Sequence, residues 1–490
     1  MHHCEDRHQF RFLLTLCLTV LLLALSFPIR ANGQSEGTRT PLSHVVFVMM
    51  ENHSFDNIFG VYPTLNETTN VSSTVSQIQR PTNLLNLANP PPLSKVPNGT
   101  FYTQNPHEGY STYHSDWDNG LMDGFAQHSG TQSMTYFTSA QFALEWDLAQ
   151  EYALGDRYFA SSLTTTDPNR LISLAGQSPI TKNTGPPPYL PLNSSIFWQL
   201  SSSGVSWSYY VDNPSHDWFP LNYFSGIDQY SQNIGSWSNF FSSLSSGALP
   251  SVSWVMPIGG DASSVSQHPT ENVTTGELWL ANIVNSVMQS LVWNSTAIFI
   301  NYDEGGGYYD QVPPPTVDDN QLGFRVPLIV ISPYAKENYV SSTVLNHAST
   351  LAFIEYNWKL PALNGFVASS NLPLDFFDFN ASYPGGQLIR APLVLSPSAG
   401  FPQPFQIPVT QLPYPRSGSS AVSLGASITS STSFSSTNPS STGAQSTTSS
   451  QAAGSLSIFA IGTTIAAAAI AILVATFVAS IRRKRSALGR

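Results

Sequence analysis

The sequence predicts an α/β fold: a largely parallel sheet with helices on both faces. Three observations carry this. "HVVFVMM", "TAIFINY" and "VPLIVIS" are continuous apolar runs of strand length, the mark of parallel strands buried on both sides. Helical spacing separates them, above all in "TGELWLANIVNSVMQSLVW", where Leu278, Ile283, Val284, Val287 and Leu291 recur on one face. No segment of roughly 20 to 50 residues repeats, which leaves out a solenoid or propeller.

Taken in chain order, the first residues read as a secretory signal. Arg7 and Arg11 precede "FLLTLCLTVLLLALSFP", and small residues follow, placing cleavage between Ala31 and Gln34 and the signal at residues 1–33. Both cysteines, Cys4 and Cys17, fall inside it, so the mature chain would have neither a disulfide nor a thiolate-bound metal. Asn-x-Ser/Thr sequons at Asn66, Asn70, Asn98, Asn193, Asn272, Asn294 and Asn380 suit an exported glycoprotein. Asn52 also heads one. The net charge of −11, with only 10% charged residues, argues against a nucleic-acid partner, whose phosphates call for basic surface.

The first strand runs from His44 to Met50 and delivers Glu51-Asn52 to its end. The second, Ala297 to Tyr302, delivers Asp303-Glu304 and then "GGGYYD". Ligands of open α/β sheets bind beyond the carboxyl ends of the strands. Two such ends bearing oxygen donors make a cage for a hard divalent metal ion, whose identity the sequence leaves open. The other reading is that each pair caps a following turn. "TLAFIEYNWKL" after "NHAS" reads as a helix with Ser349 near its N-cap. The stretches Pro81 to Thr103 and Pro186 to Leu244 read as long loop excursions from the sheet.

Residues 38–415 form the folded domain. After it, residues 417–451 are a Ser/Thr-rich stalk too polar to bury a core. Residues 458–480 are uncharged and long enough to span a bilayer, and "RRKR" within the basic tail 481–490 places that tail in the cytoplasm. The expectation is a single-pass cell-membrane protein with its folded domain outside the cell.

"ENHSFDNIFG", "TDPNR", "HP" at His268-Pro269, "DEGGGYYDQVPPP", "GFRVPLIVISPYA" and "NHASTLAFIE" occur in the order of one family. Over Ser43 to Asp378 the chain resembles the secreted phosphoesterases that include bacterial phosphatidylcholine-type phospholipases C and a respiratory-burst-inhibiting acid phosphatase. The stalk and anchor resemble those of archaeal surface proteins. The resemblance implies an alkaline-phosphatase-like mixed sheet, largely parallel and sandwiched by helices. It implies metal binding by Glu51, Asn52, Asp303 and Glu304, with Thr166 as a metal-bound nucleophile. It further implies that His268 and His347 take part in catalysis and that His107 and His114 bind substrate phosphate. Gln311 and Asn57 stand where the family usually has histidine. The implied activity is hydrolysis of phosphate esters, as an acid phosphatase or a phospholipase C-type enzyme, and a surface stalk facing the medium leans towards soluble esters. The rival is a non-catalytic adhesion or glycan-binding module, favoured only by Gln311. Arg170 reads as holding Asp167 in a turn, the other reading being a pair with substrate phosphate, and the aromatic-rich stretch around Trp207 as packing rather than the lining of a lipid or sugar pocket.

Overall fold

The computed structural model describes residues 37–62, 92–184, 189–212, 219–259 and 264–380, with two short strands at Leu395–Pro397 and Val422–Leu424. Every described residue falls in one compact unit. The predicted signal, the membrane span, the basic tail and most of the stalk lie outside the described residues. Among the described residues no helix is long and apolar enough to cross a membrane.

Eight strands make the main sheet. In chain order they are β1 (His44–Met50), β2 (Ala153–Gly155), β3 (Trp207–Tyr210), β4 (Ile234–Gly235), β5 (Val252–Val255), β6 (Thr296–Tyr302), β7 (Leu328–Ile331) and β8 (Tyr339–Ser341). Their spatial order is β8-β2-β7-β6-β1-β5-β3-β4. β1 is central, paired in parallel with both β5 and β6, which explains its unbroken apolar run.

β7 corrects the sequence reading. It is antiparallel to both its neighbours, β6 and β2, while every other pairing in the sheet is parallel. The reason is the connection. Residues 303–327 provide no helix to carry the chain back across the sheet, so it re-enters from the end at which β6 left. The fold is therefore a mixed, mostly parallel α/β sheet, which is the fold class expected above; only the direction of this strand differs.

Alternation along the strands assigns the helices to faces. Phe47, Met49 and Asn301 point to one side, where α4 (Thr166–Ala175) and α6 (His347–Trp358) pack over them, lining a small cavity with Arg170, Leu174 and Thr350. Tyr302 points to the other, towards α3 (Ala143–Glu151) and α5 (Val273–Met288). Two short helices, α1 (Phe55–Phe59) and α2 (Tyr110–Trp117), lie along the carboxyl ends of the strands. α5 stops at Met288, so Leu291 falls beyond it and is 79% exposed rather than part of its buried face. α6 begins at His347, two residues before Ser349. Asn346 is its N-cap, accepting from the Ala348 amide at 2.8 Å, while the Ser349 hydroxyl accepts the Asn346 amide at 3.1 Å. Trp207 packs on Phe197, so the aromatic-rich stretch does serve packing there.

Candidate active site at the carboxyl ends of the central strands

Strand register builds the site. Met50 of β1 faces Tyr302 of β6, so the next residues, Glu51 and Asp303, leave the sheet side by side. The Asp303 amide donates to the Met50 carbonyl at 3.1 Å and extends the ladder. Asn52 turns into the left-handed region at φ 54°, and its amide donates to Asp303 Oδ1 at 3.2 Å. Gly306 lies directly against this turn. A Cβ there would stand 2.1 Å from the Asn52 carbonyl oxygen, and its φ of +63° favours glycine as well. The glycines after Glu304 thus bring backbone onto backbone and close the loop over the strand ends.

Glu51, Asn52, Asp303, Glu304, Thr166 and His347 are all buried. Arg170, on α4, pairs with Glu51 through Nη2 and with Asp303 through Nε at 3.3 Å. This replaces the predicted Asp167 contact. Asp167 is held instead by the Tyr223 hydroxyl at 2.5 Å and the Thr184 amide at 3.1 Å. Thr166 is one turn before Arg170 on the same face of α4, so the guanidinium's engagement brings that face to the strand ends.

Two contributors carried no sequence signal. Glu108 accepts from Asn52 Nδ2 at 3.0 Å and lies 3.8 Å from His268 Nε2. Tyr113 donates its hydroxyl to Glu304 Oε2 at 2.7 Å, where the Gly306 amide also donates at 2.6 Å. Four carboxylates (Glu51, Glu108, Asp303 and Glu304) therefore gather at the strand ends, and Arg170 pairs with two of them, Glu51 and Asp303. Burial pushes Glu51 and Glu304 well above the usual carboxylate range. Arg170 opposes this at Glu51, while Glu108 and Asp303 add to it at Glu304.

Not every buried atom there is satisfied. Glu51 Oε2, Asn52 Oδ1, Glu304 Oε1 and His347 Nδ1 have no hydrogen-bond partner among the described residues. Leaving such groups unpaired is costly, and three of the four are oxygens of the kind that hard cations take. The donor set therefore fits a divalent ion. It does so through a mixed set: among the described residues no three His, Cys, Asp or Glu side chains cluster closely enough to hold an ion by themselves. His347 Nε2 donates to the Tyr302 carbonyl at 3.0 Å, and burial lowers its pKa to about 4. The ring is thus neutral, with Nδ1 as a lone-pair acceptor.

The two predicted phosphate-binding histidines fare differently from their neighbours. The His114 ring accepts no site partner. It contacts the Tyr110 carbonyl at 2.8 Å and lies against the Tyr110 ring on the outer face of α2, while Tyr113, about 100° round the helix, faces inward. His107 is exposed and enters the site region through its backbone, which bonds to Ser129. Gln311 is bonded to Asp56, in a buried cluster with Arg325 and Asp310, and touches none of the strand-end groups. Asn57 lies 2.6 Å from His53 Nδ1.

Asn52 is expected to carry no glycan despite its sequon. It is 0% exposed, and its amide nitrogen is committed to Glu108. Peptide mass spectrometry of active protein checks this, and a sugar on Asn52 would contradict the arrangement described.

Comparison with known proteins identifies the family of the chain. Residues 42–361 match the model of the phosphoesterase family. Phospholipase C A of Mycobacterium tuberculosis is 27% identical over 400 residues, covering 68% of this chain and 76% of that protein. A non-hemolytic phospholipase C of Burkholderia pseudomallei is 26% identical over 412 residues, covering 69% of this chain and 57% of that protein. Among solved structures, a protein of the alkaline phosphatase superfamily from Vibrio parahaemolyticus superposes with a TM-score of 0.29 at 13% identity, covering 56% of this chain and 73% of its own. That superposition is too loose to say more about this chain.

Proposed function

The chain belongs to the phosphoesterase family, and on that premise we propose that it is a divalent-metal-dependent hydrolase of phosphate esters with Thr166 as nucleophile. The observation that carries this is the convergence of unpartnered buried oxygens on two strand ends in register. Glu51, Asn52, Asp303, Glu304 and the Thr166 hydroxyl would hold the ion. When bound, such an ion neutralises phosphate charge and lowers the pKa of a ligating hydroxyl.

The chain's own residues do the rest. Arg170 fixes Glu51 and Asp303 relative to α4, and so fixes Thr166 relative to both. Glu108 holds the Asn52 amide with its oxygen turned away from Glu108. The neutral His347 offers Nδ1 as an acceptor at the N-terminus of α6. His268, half-buried beside Glu108, would donate a proton to a departing alkoxide. His107, on the exposed side of the same loop, remains available for substrate contact, and His114 drops out of the proposal.

The curated relatives are phospholipases C, which favours a phospholipid head-group ester over the soluble monoester of the sequence reading. Purified protein is expected to hydrolyse p-nitrophenylphosphorylcholine faster than p-nitrophenyl phosphate, to lose activity to chelator, and to regain it with divalent metal. The reverse preference would restore the monoesterase reading, and no hydrolysis of either would overturn the proposal.

For location, the sequence supports a cell-surface enzyme on a stalk with one membrane-spanning helix. Deleting residues 458–490 is expected to release a soluble enzyme with unchanged specific activity, read by fractionation and assay. Loss of activity would assign the tail a role in the folded domain.

A further inference from the structure

Gln267 belongs to none of the groups above, yet it bonds to the neighbours of three segments that carry them. It is fully buried in the left-handed region, at φ 68°. Its carboxamide oxygen accepts from the Tyr302 hydroxyl at 2.6 Å, and Tyr302 precedes Asp303. Its backbone carbonyl accepts from His53 Nε2 at 2.8 Å, and His53 follows Asn52. Its own successor is His268. The amide nitrogen donates to Glu145 Oε1 at 2.8 Å.

Glu145 is itself held. Its carboxyl group meets that of Glu277 from α5, and Glu277 Oε1 accepts from the Leu144 amide at 2.8 Å. Burial raises the pKa of both carboxyl groups, and the Glu145 charge adds to this at Glu277, so the pair resists carrying two negative charges. The helix also makes room for the glutamine. A Cβ on Gly276 would stand 2.4 Å from Gln267 Cγ.

We propose that Gln267, held by the buried Glu145–Glu277 acid pair, is the positioning residue that sets Asn52, His268 and Asp303 relative to one another. A satisfied core amide has no need to link three chain segments, nor to adopt a left-handed backbone at the threshold of His268. The linkage places this residue behind the site rather than in it, since it touches neither the unpartnered oxygens nor Thr166. The inference rests on the phosphoesterase reading above, because positioning has meaning only for a reaction.

The test uses the full chain with Gln267→Leu, Glu145→Leu and Glu145→Gln. A misplacement of about 1 Å at a reacting group costs roughly 100-fold. Gln267→Leu and Glu145→Leu are therefore expected to lower kcat by on the order of 10- to 100-fold with KM nearly unchanged. Glu145→Gln is expected to restore activity. Its amide oxygen still accepts from Gln267 as Glu145 Oε1 does, and its amide nitrogen is a donor on the side of the Glu277 carboxyl group. Hydrogen exchange supplies a readout independent of catalysis. The Glu51 amide, bonded to the Ser266 carbonyl, and the Asp303 amide, bonded to the Met50 carbonyl, are expected to exchange faster in both leucine variants. Glu145→Leu keeps the test available if Gln267→Leu fails to fold. Unchanged exchange at both amides, full turnover in the leucine variants, or a Glu145→Gln enzyme as impaired as Glu145→Leu would each overturn the inference. An inactive wild-type protein would overturn the phosphoesterase reading instead, while the exchange result still decides this one.

Discussion

Thr166→Ala is expected to abolish turnover while leaving the protein folded and its metal bound, and Thr166→Ser to retain part of the activity. Three adjacent threonines precede "DPNR", and the structure separates them by what their hydroxyls do. Thr164 donates to the Thr181 carbonyl at 2.6 Å, and Thr165 donates to Asn183 Oδ1 at 2.9 Å. Among the described residues no group hydrogen-bonds the Thr166 hydroxyl. Thr166 is also the first residue of α4, where backbone amides favour an anion, and it shares a face with Arg170. The hydroxyl oxygen would attack phosphorus and expel the alcohol. Water would then hydrolyse the phospho-threonine and restore the side chain. Losing a nucleophile costs on the order of 10⁴- to 10⁶-fold in kcat. Thr164→Ala removes one hydrogen bond, about 1 kcal/mol of stability, and little activity. If Thr165→Ala is the inactive variant, the nucleophile is one residue earlier. If all three remain active, no covalent step uses this loop.

What the sequence made legible was what strand ends and periodicity carry. The continuous apolar runs of β1 and β6 identify the two central strands, and the oxygen donors just after them emerge together because the register aligns Met50 with Tyr302. The direction of β7 was not legible. A strand buried on both faces reads alike in either orientation, and only the connection before it decides. Glu108 and Tyr113 were missed because their site contacts span 56 and 191 residues of sequence. Choosing His114 over Tyr113 is a matter of one helical position, which no spacing argument settles without a known inward face. Arg170 was assigned to its sequence neighbour Asp167, whereas burial brings it to two carboxylates 119 and 133 residues away. Gln267 had no motif at all; its role is visible only in its partners.

Glu51→Gln is the cleanest test of the metal, and it is expected to remove bound ion and turnover together. The substitution keeps volume, and the Gln oxygen still accepts from Arg170 as Glu51 Oε1 does. What changes is the other position, where an amide N–H₂ replaces Oε2, the atom without a partner. A donor there faces the cation instead of ligating it, and one negative charge is lost from the cage. Asp303→Ala is expected to be as inactive but less stable. Asp303 also accepts the Asn52 amide at 3.2 Å and the Glu304 amide at 2.8 Å, and removing it leaves these buried donors and Arg170 short of partners. Metal analysis and thermal melting separate the two effects. A ligand bound to the native state at 100 times its Kd stabilises by about 2.7 kcal/mol, so chelator is expected to lower the wild-type Tm. The Glu51→Gln protein is expected to melt at the same temperature with and without chelator. A Glu51→Gln enzyme with normal metal content, normal turnover and a chelator-sensitive Tm would reduce Glu51 to a partner for Arg170, and the paired strand ends to turn caps.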